Sequence, residues 1–184
     1  MSEELVIAQC SPTLAGLKTA SLFRCGLTDR ADFLRSLHRL NLRLVPKGVR
    51  LIPVRLSTDS ALVYMYRPQQ LKSDLEGERA KRTLRGKGYP TGDANACLAE
   101  LIRRIRTAEE FPHEIGLFLG YPPEDVEGFI KQKARHAKYS GLWKVYGDVE
   151  SAKRRFDMYK KCTRIYKEAF LRHNSFDRLV VSCV

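Results

Sequence analysis

Apolar or small residues fall at positions 149, 152, 156, 159, 163, 166 and 170. Steps that alternate between three and four predict one long amphipathic helix. Gly147-Asp148 supplies a turn and an N-cap ahead of it. Before that, Leu142–Tyr146 reads as a short strand, following a helix break at Ser140-Gly141. The stretch FPHEIGLFLGYPPEDVEGFI, 111–130, predicts two helices around a bend. Ile115, Phe118 and Leu119 form the inner face of the first, with Pro112 in its first turn and Gly120 as a left-handed stop. Pro122-Pro123 opens the second, Glu124 and Asp125 suit its first turn, and Val126, Phe129 and Ile130 continue the inner face.

The N-terminal half is more mixed. Leu5–Ala8 is a short apolar run, either a strand or the approach to a helix. Ser11-Pro12 reads as an N-cap with proline at the first helical position, opening a helix that reaches about Cys25 and stops at Gly26. Thr28 or Asp29 caps a second helix carrying Phe33, Leu37 and Leu40. The period then shortens to two. Val49–Leu56 and Ala61–Tyr66 form a predicted hairpin around Ser-Thr-Asp-Ser, and Pro53 places its first strand at a sheet edge or on a bulge. A polar helix opens at Arg67-Pro68, weakened at Gly77. RGKGYPTGD, 85–93, is a loop, and Asp93 caps a helix striped by Ala94, Leu98, Leu101 and Ile105.

These elements predict an α+β protein: a small mixed or antiparallel sheet around the 49–66 hairpin, covered by six or seven helices. Its 184 residues suit a single globular domain, 1–184, with 178–184 as a short tail or extra strand. No apolar run is long enough to cross a membrane, and MSEELVIAQC is too acidic for a signal peptide, so the chain is expected in the cytoplasm. Cys10, Cys25, Cys97, Cys162 and Cys183 stand singly, as expected of free thiols rather than of a metal site or a disulfide framework. No cofactor or oligomeric state can be read from the residues.

Charge changes the picture. The formal net charge is +12. Lys131 to Lys167 holds twelve lysines and arginines against Asp148, Glu150 and Asp157, so most of that charge sits in one segment. Such a concentration attracts an anionic partner.

CSPTLAGLKTASLF (10–23), FPHEIGLFLGYPPEDVEGFI (111–130), and YSGLWKVYGD with AKRRFDMYKKCTRIY (139–166) together resemble an uncharacterised bacterial family, a domain of unknown function found mainly in anaerobes. The resemblance spans nearly the whole chain. It implies genomic company with flavodoxin-type or iron-handling genes, and it supplies no activity, cofactor or catalytic residue.

Two functional readings follow from the residues. In the first, a non-enzymatic binding protein uses Lys144, Arg154, Arg155, Lys160, Lys161 and Arg164 to dock an acidic macromolecule, either nucleic acid or an acidic redox protein of flavodoxin type. Aromatic neighbours, Tyr139, Trp143, Tyr146, Tyr159 and Tyr166, would let single-stranded nucleic acid stack, although Tyr159 and Tyr166 lie on the apolar stripe. In the second, a thiol-dependent enzyme or a redox or cofactor-binding protein uses Cys10, made acidic by the helix start at Ser11, with His113 as base and Glu114 orienting it. The plainer alternatives are a buried structural thiol at Cys10 and a helix-start acid at Glu114. RGKGYPTGD lacks the order of a phosphate-binding loop. PPEDVEG puts acids where a DNA-reading helix needs neutral or basic groups.

Overall fold

A computed structural model describes residues 1–182; Val184 and Cys183, with the end of the expected 178–184 tail, lie outside the described residues. The chain divides into two compact units: Met1–Gln69 with Tyr159–Val184, and Gln70–Met158.

In the first unit, helix α1 (Glu3–Leu14) is capped by Ser2, whose hydroxyl accepts from the Leu5 N–H. Strand β1 (Ala20–Gly26) follows, then helix α2 (Arg30–Leu44), capped by Asp29, and the hairpin β2 (Arg50–Leu56) and β3 (Ser60–Tyr66). The sheet is antiparallel throughout, in the order β1-β3-β2. Proline 53 lies on an edge strand, and the register also shifts between Pro53 and Arg55, so both expectations for it hold. Ser21, Phe23 and Cys25 of β1 share a face with Ala61, Val63 and Met65 of β3. The apolar members of that face pack in one core with Val6, Ile7, Leu37, Leu40, Phe170 and Phe176.

The helix expected over 11–25 is corrected to the end of α1 plus β1. Pro12 sits inside α1, two residues before its end. Beyond it, the alternation of Ser21, Phe23 and Cys25 decides for a strand, because β3 offers seven paired positions and the core takes every second side chain.

Arg67 closes the end of α1. It is fully buried, and its guanidinium donates to the carbonyls of Thr13 and Leu14 at 2.6 Å each and to that of Val181 at 2.8 Å. A cation there satisfies carbonyls that the helix leaves open and opposes the negative end of its dipole.

The second unit is mostly helical. The polar helix expected from 68 breaks at Gly77 into α3 (Pro68–Glu76) and α4 (Glu78–Gly86). Helix α5 (Ala94–Thr107) is capped by Asp93. A single turn, α6 (Ile115–Phe118), ends at Gly120 with φ +73, and α7 (Pro123–Gln132) follows. That helix stops earlier than the break expected at Ser140: Lys133, Ala134 and His136 all adopt positive φ, and no residue in KQKARHAK marks the stop. The strand expected over 142–146 is a two-residue pair, β4 (Tyr139–Ser140) with β5 (Lys144–Val145).

Helix α8 (Val149–His173) begins in the second unit and continues into the first. The predicted stripe faces inward: Ala152, Phe156, Tyr159 and Phe170 are buried, and Thr163 and Tyr166 half-buried. The α+β class, the small antiparallel sheet and the long last helix stand as the sequence predicts.

Candidate functional site

Cys10 lies in the C-terminal half of α1, not ahead of a helix start. The dipole that would favour a thiolate is therefore reversed at this position. The residue is wholly buried, and loss of hydration pushes the thiol up, with only partial compensation from Lys18 and a hydrogen bond with Ser21. Lys18 is itself pushed down to about 8 by burial. Cys10, Cys25, Cys97 and Cys162 are all buried and none is in a disulfide among the described residues. Cys10 falls in the first unit and His113 in the second.

His113 and Glu114 part company, as neighbours on a turn must. Glu114 points inward. Its Oε1 accepts from Tyr89 Oη at 2.9 Å and Arg104 Nη1 at 3.3 Å. Arg104 also donates to Glu100 at 2.6 Å and to the Lys87 carbonyl at 2.7 Å, and its guanidinium stacks 4.1 Å from the Tyr89 ring. Glu114 thus ties the 87–89 turn to α5, and burial beside this carboxylate pushes the Tyr89 phenol up. The glycine-rich loop is a connector held by the same arginine. His113 is exposed and presents its ring to the face of Phe129, 4.9 Å away at 75°. Its side chain hydrogen-bonds to no described residue.

A cavity of about 260 Å³ opens beside His113. Its walls include Phe129, Val126, Tyr121, Trp143 and Lys144. Tyr121 and Trp143 stack at 4.6 Å, and Phe156 meets the indole edge-on at 4.4 Å. The wall is fixed by Asp125, which is buried at the start of α7. Its carboxylate accepts from Trp143 Nε1 at 2.7 Å, Tyr146 N at 2.7 Å and Gly147 N at 2.8 Å. The sequence suggested only a helix-dipole acid at 125; partners some twenty residues away left no local signal.

On α8, Arg154, Arg155, Lys160, Lys161 and Arg164 are exposed, as is Lys167. None of the six pairs with a described carboxylate. Lys144 is elsewhere: it sits in β5, half-buried, at the aromatic cavity. Of the aromatics proposed for stacking, Trp143 and Tyr159 are buried, Tyr146 and Tyr166 half-buried, and Tyr139 lies against Phe156 at 6.2 Å. The bend at 111–130 carries a first helix of only four residues, so it does not form a DNA-reading pair. Among the described residues, no group of His, Cys, Asp or Glu could hold a metal ion, and no helix is long and apolar enough to cross a membrane.

Residues 6–180 match the family described as "Protein of unknown function (DUF3793)". The chain belongs to that family. No curated protein and no solved structure matches it.

Proposed function

We propose that this is a binding protein that docks an acidic protein, such as a flavodoxin-type redox protein, on the outer face of α8 from Lys160 to Arg172. One observation carries the reading. Lys160, Lys161, Arg164 and Lys167 lie within eight residues, all exposed, none paired with a described carboxylate. Four like charges held side by side repel one another and favour any state in which an anion neutralises them.

The exposed apolar residues on this stretch favour a protein over nucleic acid. Leu171 is 83% exposed and Ile165 46%. Leu171 follows Arg164 by seven residues and Lys167 by four, so it shares their side of the helix; Ile165 stands in the same relation to Lys161. Aliphatic anchors ringed by cations suit a protein surface with acids around an apolar centre. Tracking of nucleic acid would need stacking rings here, and Tyr159 is buried and Tyr166 half-buried.

The test is calorimetric titration with an acidic flavodoxin, with a single-stranded oligonucleotide as comparator. Affinity for the flavodoxin should fall about tenfold between roughly 50 and 150 mM salt. The triple variant Lys160→Glu, Lys161→Glu, Arg164→Glu should abolish binding. Leu171→Ser should weaken it while leaving the salt dependence in place. Binding that ignores salt, or that prefers the oligonucleotide, overturns the reading.

A further inference from the structure

We infer that the cavity beside His113 is a binding site for a small aromatic acid, a carboxylate carried on a phenyl or fused ring. The inference is independent of the docking face on α8.

The shape argues for a ring. Cavities of roughly 150 Å³ lined by apolar side chains accept benzene; here about 260 Å³ is lined by the rings of Phe129, Tyr121 and Trp143 together with the aliphatic Val126, Ile115 and Leu142. The lining is itself built of paired rings: Tyr121 stacks on Trp143, and His113 meets Phe129 in an edge-to-face contact. Rings prefer such offset and edge-to-face surroundings to a surface of aliphatic chains.

The polar groups argue for an acid. The lining carries one carboxylate, Asp125, and three N–H donors already occupy it. Its oxygens have little left to offer a ligand cation. The lining also carries two basic side chains, Lys144 and His113. Neither hydrogen-bonds or pairs through its side chain with any described residue. Lys144 is half-buried, and its ammonium has no counter-ion among the described residues. An aromatic carboxylate supplies what both features lack: a ring for the walls, and an acceptor for the ammonium and the imidazole.

Trp143 is the chain's sole tryptophan, so its fluorescence reads this cavity directly. The probes are 3-phenylpropanoate, its neutral counterpart 3-phenylpropan-1-ol, and hexanoate, none of which absorbs where tryptophan can be selectively excited. The acid should produce a saturable change, with an affinity about tenfold above that of the alcohol. Hexanoate should produce none over the same range. Lys144→Met should lower the acid to the alcohol's affinity without altering the alcohol, and Phe129→Ala should weaken both alike. Thermal unfolding of each variant shows whether it is folded; should Phe129→Ala fail to fold, Lys144→Met decides alone. A site without a ring requirement would bind hexanoate as tightly as 3-phenylpropanoate. That outcome overturns the inference, as does the absence of a saturable response to the acid, or an acid-to-alcohol ratio unchanged in Lys144→Met.

Discussion

At Gly128 an added methyl group would sit 2.3 Å from the Tyr146 ring, and the next two contacts would also be shorter than van der Waals distance. A glycine there lets α7 pack closely against the Tyr146 side chain, just after β5. Gly128→Ala should therefore destabilise the protein by about 1–3 kcal/mol, the usual cost of overpacking, read from a shift in denaturant midpoint. The same ring carries a second, opposite prediction. Tyr146 Oη is buried without a hydrogen-bond partner among the described residues. Tyr146→Phe removes a polar atom that gains nothing in the folded state, so stability should hold or rise by about 1 kcal/mol. A large loss would mean that the hydroxyl has a partner. At this scale the sequence was least informative. Glu114 and Asp125 both looked like residues of a helix start, because a carboxylate near a proline and a first turn satisfies local rules. Their actual partners, Tyr89, Arg104 and Trp143, are brought in by the fold.

Among the elements, α5 is the most electrostatically organised. Glu100 accepts from Arg103 and Arg104, and these hydrogen bonds hold its carboxyl down to about 2. A carboxyl depressed in the folded state stabilises fully above its ordinary value and loses that contribution as pH falls towards the folded one. The window here runs from about 4.5 down to about 2. Glu100→Gln should be less stable than the parent at pH 7, and the gap should close as pH falls through that window. A constant gap would show that the ion pairs contribute nothing. Periodicity was legible for elements of this kind. The stripe on α8, the caps Asp29 and Asp93, and the hairpin with its proline on an edge strand could all be read because each rests on neighbours within one turn or one strand pair. The segment after Pro12 was not legible, because ASLFRCG fits a helix face nearly as well as a strand. Only the pairing with β3 separates the two. The early stop of α7 likewise has no residue that announces it.

For the molecule as a whole, the order of the chain matters more than any one contact. The second unit, Gln70–Met158, is an insertion in the sequence of the first. The first unit's core joins Val6, Phe23 and Val63 to Phe170, Phe176 and Val180. Phe176 is almost wholly buried. Phe176→Ala should cost about 3–5 kcal/mol, as for other large-to-small changes in a core. The loss should appear as faster hydrogen exchange in β1 and β3; exchange unchanged in those strands would mean that the core closes without this residue. The sheet was legible from the hairpin, but this dependence on the far end of the chain was not, since no periodicity within a segment reports what covers it. Its consequence reaches back to synthesis. On the ribosome, α1 and all three strands of the sheet emerge before Phe170 and Phe176 have been translated, so the amino-terminal segment must wait, greasy side uncovered, for the residues that will seal it.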